Sequence, residues 1–472
     1  MFYDQIYCSM YKKILIINPP NIPFTEKSIL IEPIDILTLS SYLQTLWYDV
    51  SFLDMDAEHI LPKEILSHLK HIQPDVIILP FDYHIPLHQD KAIDYIIAIC
   101  KITKKLWIKT IVGGKIATYK PAAFLFPNTS IDIAISYEME LPLSHLLATK
   151  KWNHTALSQI ENISFLYRNK IISTSCTRQK IDIATLPIAD RALCNLKKYI
   201  DVRSILSSRG CVMKCSYCHV PNFRASWRGR SPEIIIQEIQ SLIKNFGTEK
   251  IMFLDDNFGA DRQRMEKIAD LIVQNNIKCK FWFLATIHSF DEKLFKKLYK
   301  AGCRRVHYGI ETGDEQLSQS IQKNLSNAHI KEVIAKTKKI GFRIRSSWIV
   351  DLPGSTSSSI DKTMQLILDT KTDEIRLHFL TLRLGSKIYT DFYDPKKKLP
   401  SQYIHNNIIH NSLHTVADSY IYQKISTLIT TLQKDKYIAI QNSKDNKKLH
   451  TLSQHQKVKV ISFCPLRYWL CR

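Results

Sequence analysis

The sequence lacks an apolar run long enough to cross a membrane. No window of its 472 residues reaches the roughly 18 uninterrupted apolar residues that a spanning helix needs. The opening stretch MFYDQIYCSMYKK also lacks the cationic start, apolar centre and cleavage site of a signal peptide. We therefore expect a cytoplasmic protein. A hydrophobic content of 45% is enough for two or three domains that each bury a core.

Cysteine is sparse outside one short segment. The chain has 11 cysteines, and all but three are scattered singly along the sequence. A disulfide framework needs dense, paired cysteines in a small secreted domain. The spacing excludes that class of protein and indicates a reducing compartment.

The sequence also has no run in which clustered arginines alternate with aromatic residues. The net charge of +21 is consistent with an anionic partner such as nucleic acid. However, lysine, isoleucine and asparagine are frequent along the whole chain, and this bias raises the charge without building a binding face. We therefore do not expect a nucleic-acid platform.

Strands and helices alternate over the first 150 residues. Short apolar runs such as KKILIINPP, DVIILPF and IKTIVGG are typical of buried parallel strands, and helical patterns separate them. The alternation predicts an α/β protein whose first domain, residues 12–150, is a Rossmann-like doubly wound parallel sheet. Ligands of such sheets bind beyond the carboxyl ends of the strands. Residues 151–200 are predicted to form a connector with a hairpin at ISFLYRNKIIST.

A second alternation begins at residue 201. Six strand and helix pairs follow one another, from the strand SILSS to the strand EIRLHFL. They predict a partial (βα)6 barrel over residues 201–390, with its chemistry at the carboxyl ends of the strands. Residues 391–472 are rich in lysine, histidine and asparagine. We expect a small C-terminal appendage there, with one helix at DSYIYQKISTLITTLQ and a loosely ordered tail.

Three cysteines lie close together in RGCVMKCSYCHVP, just after the first barrel strand. Cys211, Cys215 and Cys218 are separated by three and then two residues, with no fourth cysteine near them. A structural zinc ion prefers four protein ligands, and the one nearby candidate, His219, directly follows Cys218 in the sequence. Three thiolates can instead bind three irons of a cubane iron–sulfur cluster and leave the fourth iron open. The sequence favours the cluster, with zinc as the alternative.

The spacing C-x-x-x-C-x-aromatic-C, with Tyr217 before the last cysteine, resembles the radical S-adenosylmethionine (SAM) superfamily. A Rossmann-like domain ahead of the barrel is similar to the cobalamin-binding subgroup, and the resemblance covers residues 12–390. It implies that Cys211, Cys215 and Cys218 hold a 4Fe-4S cluster that cleaves SAM to methionine and a 5′-deoxyadenosyl radical. It also implies an external electron donor of the flavodoxin or ferredoxin type.

Residues at strand ends extend the resemblance. Asp255 and Asp256 of FLDDNF match the position where the family holds the methionyl amine of SAM. Glu311 of HYGIETG matches a carboxylate near the ribose, and Gly354 of DLPGST matches a loop near the adenine. Each position also has a structural alternative. Asp255 or Asp256 could cap the helix that follows, and Glu311 could be a solvated loop carboxylate. Gly354, like Gly313, could be a turn glycine with positive φ.

The resemblance implies cobalamin in the first domain. Gly113 and Gly114 of IVGG match glycines where the backbone approaches the corrin closely. The Gly-Glu-Gly-Glu stretch expected next is SYEME, so Tyr137 and Met139 replace both glycines and their bulk would crowd the nucleotide tail. The cobalt-ligating histidine signature is absent after the first strand, and we interpret His84 of FDYHIPL as a loop histidine. The alternative is a Rossmann-like module kept for packing or substrate contact.

The resemblance implies cobalamin-dependent methyl transfer to an unactivated carbon of a small-molecule or peptide substrate. The alternatives are a radical SAM cyclase or rearrangement enzyme, a tRNA methylthiotransferase, and a sensor that binds a cluster or corrin without turnover. Methylthiotransferases carry three further cysteines in their N-terminal domain, in a context that the cysteines of this chain do not match. The substrate cannot be named from the sequence, because loops set specificity in such barrels.

Overall fold

The computed structural model divides the chain into two units, residues 1–200 and residues 201–472. None of the helices that it describes is both long enough and apolar enough to cross a membrane. The structure describes residues 11–20, 24, 30–81, 89–177, 181–224, 226–380, 382–392, 418–434, 437–440 and 459–463.

The first unit is built on a mostly parallel sheet. Its seven strands are β1 (Lys13–Asn18), β2 (Asp49–Asp54), β3 (Val76–Pro80), β4 (Lys109–Gly113), β5 (Ile133–Ile135), β6 (Ile163–Tyr167) and β7 (Lys170–Ser173). They lie in the order β2-β1-β3-β4-β5-β6-β7, and strands β1 to β5 are parallel. An order of 2-1-3-4-5 is one of the two common doubly wound arrangements, with its switch point between β1 and β3. The prediction of a Rossmann-like sheet is confirmed.

Helices connect the parallel strands of this sheet. They are α1 (Ile34–Thr45), α2 (Ile65–Ile72), α3 (Gln89–Lys105), α4 (Lys115–Tyr119), α5 (Glu140–Ala148) and α6 (His154–Leu157). Every residue of β3 is buried, which is why this strand reads as a continuous apolar run. The predicted hairpin is formed by β6 and β7, and it extends the sheet as an antiparallel pair beside β5.

The second unit contains a parallel sheet of eight strands and a short separate ladder. The strands of this unit are β8 (Arg203–Ile205), β9 (Ser208–Arg209), β10 (Arg228–Gly229), β11 (Lys250–Phe253), β12 (Lys280–Ala285), β13 (Cys303–Glu311), β14 (Arg343–Ile349), β15 (Glu374–His378), β16 (Tyr437–Ile440) and β17 (Lys459–Phe463). The sheet runs β8-β11-β12-β13-β14-β15-β17-β16, while β9 and β10 pair with each other. The six predicted barrel strands are confirmed as neighbours in this order.

Most helices of the second unit begin at a side-chain cap. These helices are α7 (Val220–Phe223), α8 (Pro232–Phe246), α9 (Arg262–Gln274), α10 (Glu292–Lys300), α11 (Glu315–Ser320), α12 (Asn327–Ile340), α13 (Ser357–Thr370), α14 (Lys387–Phe392) and α15 (Asp418–Lys434). Ser231, Asp261 and Asp291 accept backbone N–H bonds at the starts of α8, α9 and α10. Gly247 and Gly341 end α8 and α12 in the left-handed conformation.

Part of the segment expected to be a loose tail completes the barrel sheet. The predicted helix is present as α15, but β17 also pairs with β15, and β16 pairs with β17, all in parallel. These two strands were not predicted, since a run of four or five residues among lysines and asparagines gives little periodic signal. Helix α15 packs its apolar stripe into the main core through Ile421, Ile425, Leu428 and Leu432.

A buried ion pair beside β10 gives a test of the second unit's stability. Arg230 Nη1 lies 2.7 Å from Glu238 Oε2, and both side chains are almost fully buried. Glu238→Ala would leave an uncompensated guanidinium in the core, so we expect the free energy of unfolding to fall by about 3–5 kcal/mol. Urea denaturation followed by circular dichroism measures this change. Glu233→Ala, an exposed glutamate on the same helix, should cost less than about 1 kcal/mol.

Candidate active site

The three cysteines share one loop between β9 and α7. None of them is in a disulfide, and Cys215 is the most buried of the three. The backbone N–H of Cys218 donates to the carbonyl of Cys215 over 3.0 Å, which closes a turn between the second and third thiols. The loop follows β8 and β9, the first barrel strand and its short extension, as the sequence predicted.

Two aspartates after β11 hold the segment that leads into this loop. Asp255 accepts from the backbone N–H of Ser207 at 2.7 Å and from the hydroxyls of Ser207 and Ser208 at 2.5 Å each. Asp256 accepts from the backbone N–H of Gly210 at 2.8 Å, where φ is +84°. A carboxylate that accepts backbone N–H bonds fixes the position of the chain. Both side chains therefore position the cysteine loop, and their contact with a methionyl amine stays a prediction.

Asn257 is a site residue that the sequence analysis did not identify. It is buried, and its Nδ2 donates to Cys211 Sγ over 3.6 Å. The backbone N–H of Met213 donates to the same sulfur over 3.4 Å. Within the described ranges, Asn257 Oδ1 has no hydrogen-bond partner. Hydrogen bonds to ligand sulfurs are one of the means by which proteins tune iron–sulfur clusters.

Glu311 and Lys323 form a buried ion pair beside the thiols. Their Oε1 and Nζ atoms lie 3.6 Å apart, and Lys323 is only 5% exposed. Burial raises the pKa of the Tyr217 hydroxyl, and the negative charge of the nearby Glu311 adds to this rise. Burial lowers the pKa of Lys323, but the charges of Glu311, Cys215 and the other two loop cysteines outweigh it and hold the pKa above its ordinary value. Glu311 was predicted at this site, whereas Lys323 sits in a turn after α11 and resembles an ordinary surface lysine in the sequence.

The end of β13 is distorted to place Glu311 there. The strand register shifts between Gly309 and Glu311, and Glu311 has a φ of +75°. A Cβ on Gly309 would lie 2.5 Å from Glu311 Oε1 and 3.3 Å from Lys323 Nζ. A side chain at position 309 would therefore displace this pair from its present position. A strained non-glycine residue at a strand end, such as Glu311, is typical of functional sites.

The three thiols can bind a metal cluster only if they lose their protons. Burial raises the pKa of Cys211, Cys215 and Cys218, the last to about 12. Iron binding therefore has to displace a proton from each thiol. The donor set, three unpaired thiols beside the Lys323 ammonium, fits a cluster that keeps one iron open.

The zinc alternative depends on a fourth ligand near the cysteine loop. His219, its sequence candidate, lies at the start of α7 with its ring 6.4 Å from that of Phe223. In the part of the chain that the structure describes, no three His, Cys, Asp or Glu side chains are grouped to hold a single metal ion.

The turn and helix-cap alternatives considered for Gly354, Gly313, Asp255 and Asp256 can be compared with the structure. Gly354 lies in a turn closed by Ser355 N–H to the Leu352 carbonyl at 2.9 Å, with φ of +84°, so the turn itself requires glycine. Its contact with an adenine stays a prediction. The positive φ considered for Gly313 is wrong: a Cβ there would lie 2.6 Å from the Lys362 carbonyl of α13, so close packing excludes a side chain. The cap of α9 is Asp261, not Asp255 or Asp256.

In the first unit, the space above Gly113 is occupied. A Cβ on Gly113 would overlap the sulfur of Met139, which is fully buried. Gly114 has a φ of +112°, and Tyr137 has a φ of +63°, a conformation that favours the glycine it replaces. Gly113 is thus packed against a thioether at the point where the sequence suggested a corrin contact. His84 lies outside the described residues.

Comparison with known proteins agrees with this geometry. Residues 205–367 match the family described as the radical SAM superfamily. The second unit therefore contains a radical SAM domain. Its matched region contains the cysteine loop, Asp255, Glu311, Lys323 and Gly354, and it ends within α13.

Relatives and solved structures cover most of the chain. An uncharacterized methyltransferase of Pyrococcus horikoshii is 24% identical over 387 residues, 80% of this chain and 82% of that protein. An anaerobic magnesium-protoporphyrin IX monomethyl ester cyclase of Synechocystis sp. is 23% identical over 399 residues, 81% of this chain and 76% of that protein. The radical SAM methyltransferase TsrM of Kitasatospora setae, solved with cobalamin and a [4Fe-4S] cluster, superposes with a TM-score of 0.69 at 17% identity, over 80% of this chain and 77% of that one. The fold of this chain is therefore that of TsrM.

The anchoring role of Asp255 can be tested without touching a cluster ligand. Asp255→Ala removes three hydrogen bonds from Ser207 and Ser208, so we expect the cysteine loop to shift and iron incorporation on reconstitution to fall several-fold. Iron and sulfide analysis after anaerobic reconstitution measures the loss. Asp291→Ala, which removes only the cap of α10, should keep full iron content while costing about 1 kcal/mol of stability. Equal iron content in both variants would contradict the anchoring role.

Proposed function

We propose that this radical SAM enzyme transfers a methyl group from cobalamin to an unactivated carbon of its substrate. The set of three free thiols beside the buried pair of Glu311 and Lys323 is the observation that supports radical cleavage of SAM. Methyl transfer is supported by the shared fold with TsrM and by the similarity to the methyltransferase of Pyrococcus horikoshii. When bound, the cluster supplies the electron that cleaves SAM, and cobalamin supplies the methyl group.

The residues around the cysteine loop have separate tasks in this proposal. Cys211, Cys215 and Cys218 hold the cluster, while Asp255 and Asp256 fix their loop from behind. Asn257 is a buried polar side chain whose oxygen has no partner in the described residues, and its Nδ2 already donates to the sulfur of Cys211. We assign the methionyl ammonium of SAM to this oxygen, since a buried carbonyl without a partner favours a cationic donor.

Glu311 is placed to accept hydrogen bonds from the ribose of SAM. Its carboxylate is held by Lys323, so its orientation is fixed before a ligand arrives. A carboxylate with two oxygens can keep this partner and still accept from a hydroxyl. Prior orientation of this kind reduces the entropy lost on binding.

An apolar wall beside the loop protects a radical from water. Ile321, Ile349 and Leu352 form a buried cluster, and Tyr217 and Leu380 pack against it. Exclusion of water limits side reactions of reactive intermediates in closed active sites. The wall lies next to the third cysteine, since Tyr217 directly precedes Cys218.

Cobalamin would bind at the carboxyl ends of the parallel strands in the first unit. The switch point between β1 and β3 is the general ligand position of such sheets. Gly114, just after β4, has a φ of +112°, which residues with a side chain rarely adopt. Met139 fills the space over Gly113, so its flexible thioether has to move before a large cofactor can approach there.

The second candidate function is a radical cyclisation or rearrangement. The cyclase of Synechocystis sp. matches the chain over nearly the same length as the methyltransferase. The site described above serves both chemistries, because both begin with abstraction of a hydrogen atom. Transfer of an isotopic label from methyl-labelled SAM to a product distinguishes them.

Reductive cleavage of SAM is the first test of the proposed function. Anaerobic reconstitution with iron and sulfide, followed by dithionite and SAM, should yield 5′-deoxyadenosine. Single Cys211→Ala, Cys215→Ala and Cys218→Ala variants should lose at least about 100-fold in rate, because each removes an iron ligand. Cys279→Ala, a buried cysteine outside the loop, is the control that should retain activity. Metal analysis showing zinc without iron, and no deoxyadenosine, would reject the radical assignment.

Met139 provides a test of cobalamin binding that does not depend on turnover. We expect Met139→Gly to bind hydroxocobalamin up to about tenfold more tightly than the wild type, because no side chain has to leave the space over Gly113. Met139→Phe, whose stiffer ring is larger, should bind it more weakly. The visible spectrum of corrin retained after gel filtration measures both, with circular dichroism as the folding control. Equal retention by all three proteins would place the corrin away from Gly113.

A further inference from the structure

Two helices of the first unit are followed by tryptophans that stand out into solvent. Trp47 follows α1 and Trp107 follows α3, and the two residues are 78% and 93% exposed. Among the described residues, no other large apolar residue is as exposed as these two. Both have a positive φ, +64° for Trp47 and +61° for Trp107. The same position at two helix ends therefore carries an indole that the fold does not bury.

Trp47 occupies a helix-end position that favours glycine. Its backbone N–H donates to the carbonyl of Gln44 at 2.9 Å, and the N–H of Tyr48 donates to the carbonyl of Leu43 at 3.4 Å. This pair of bonds is the Schellman motif, which places the residue after the helix in the left-handed conformation. Glycine is the usual residue there because it has no Cβ to strain the backbone.

Trp107 repeats the motif at the end of α3. Its N–H donates to the carbonyl of Lys104 at 3.2 Å, and the N–H of Ile108 donates to the carbonyl of Thr103 at 3.1 Å. In the second unit, the corresponding position is filled by Asn276 after α9 and by Gly341 after α12. Glycine and asparagine tolerate this backbone better than a bulky residue does. Each tryptophan therefore makes its helix end less favourable, and burial does not offset that cost.

The two tryptophans lie at one edge of the parallel sheet. Trp47 is two residues before β2, and Trp107 is two residues before β4. The register of the sheet aligns the starts of β2 and β4 to within one residue. Since β1 and β3 lie between them and strands are about 4.8 Å apart, the two positions are separated by about 14 Å.

The same edge receives other segments of the first unit. The ring of Trp152 lies 5.1 Å from that of Tyr11, just before β1, and 5.6 Å from Lys109 Nζ at the start of β4. Phe165 is antiparallel to Ile133, so the turn between β6 and β7 also lies at this edge. We call the following residues the basal edge: 11–13, 46–49, 73–75, 104–109, 128–132, 150–152 and 167–170.

The basal edge is positively charged. It contains nine lysines and arginines but only three aspartates. Asp75 accepts the backbone N–H bonds of Lys12 and Lys13 at 2.8 and 2.9 Å, and Asp132 accepts from Lys109 Nζ at 2.7 Å. Four further lysines of the edge are exposed: Lys104, Lys105, Lys150 and Lys151. Two of its three carboxylates are therefore engaged within the edge, while most of its cations face solvent.

The combination of exposed tryptophan and lysine decides between kinds of partner. Protein interfaces are enriched in tryptophan but depleted in lysine, so the lysines argue against a protein partner. At a bilayer surface, indole rings settle at the level of the headgroups, and lysines reach anionic headgroups while their stems lie along apolar surface. Anionic lipids attract clustered lysines over about one Debye length. The charge and the indoles of the basal edge both match this surface.

We propose that the basal edge binds the surface of a bilayer that contains anionic lipids, with Trp47 and Trp107 inserted at headgroup level. Such binding needs no membrane-spanning helix. Ligands of doubly wound sheets bind at the opposite edge, and strands of five or six residues separate the two edges by about 15–20 Å. Membrane binding therefore leaves the carboxyl edge of the sheet open. The proposal goes beyond the proposed function and does not rest on it.

Vesicle flotation of the full chain tests this proposal. The vesicles are phosphatidylcholine alone and an equal mixture of phosphatidylcholine and phosphatidylglycerol. We expect the wild type to float with the mixed vesicles and to be released as salt is raised, because salt screens the lysines. A variant with both Trp47→Gly and Trp107→Gly should bind the mixed vesicles about tenfold or more weakly. Its melting temperature should not be lower than that of the wild type, since glycine suits both helix ends.

Matched variants separate this surface from general effects of charge and backbone. Asn276→Gly makes the same kind of change at the end of α9 and should alter the affinity less than about twofold. Lys105→Gln combined with Lys151→Gln should weaken binding to the mixed vesicles. Lys293→Gln combined with Lys300→Gln removes the same charge from exposed positions of α10 and should leave binding unchanged.

Three results would overturn the proposal. The first is a wild-type chain that does not bind the mixed vesicles, or a tryptophan variant that binds them equally well. The second is self-association that the tryptophan variant loses in analytical ultracentrifugation, without vesicle binding, which would assign the edge to a second copy of the chain. The third is binding of polyuridylate that depends on both tryptophans, again without vesicle binding, which would assign it to single-stranded nucleic acid.

The outcome is distinguishable from that of the proposed function. Deoxyadenosine formation is measured without vesicles, and the tryptophan variant should match the wild type there because neither residue lies in the cysteine loop or at its contacts. Loss of deoxyadenosine in both proteins counts against the radical chemistry alone. Equal flotation of both proteins counts against the membrane surface alone.

Discussion

The hydrogen bonds from Asp255 to Ser207 and Ser208 are the constraint on which the site depends. They join the end of β11 to the segment after β8, so the loop that carries the thiols is tied to two neighbouring strands. Asp256 repeats the contact at Gly210, one residue before Cys211. A flexible loop with three thiols would lose much entropy on binding a cluster. Fixing the loop in advance removes that cost, and the buried carboxylate has partners for both oxygens.

On the opposite side of the site, a distortion of β13 positions Glu311. The register shift in β13 and the positive φ of Glu311 turn this carboxylate over Gly309, where Lys323 meets it. Burying a lysine is unfavourable unless it is paired, and here Glu311 and the thiols supply the negative charge. The cation stands near all three thiols, so it stabilises the negative charge that they acquire as ligands. Backbone strain at one residue therefore contributes to the electrostatics of the whole site.

Much of the fold could be predicted from the sequence, because buried parallel strands read as apolar runs whatever they pack against. The cysteines and Glu311 could be located for the same reason, since they follow such runs. Asn257 and Lys323 could not be located in this way. Nothing in the local sequence distinguishes a buried asparagine or lysine from an exposed one, because burial depends on partners elsewhere in the fold. The strands β16 and β17 were missed because their stability comes from pairing with β15 at long range. Propensity over four or five residues does not report such pairing.

The arginines of β13, β14 and β15 show most clearly what a linear sequence conceals. No run of the chain clusters them, yet Arg305, Arg345 and Arg376 come from three adjacent strands and share one face because the strand period is two. Glu374 joins Arg305, Arg343 and Arg345 across these strands, so the register of the sheet, and not the local sequence, builds this charge cluster.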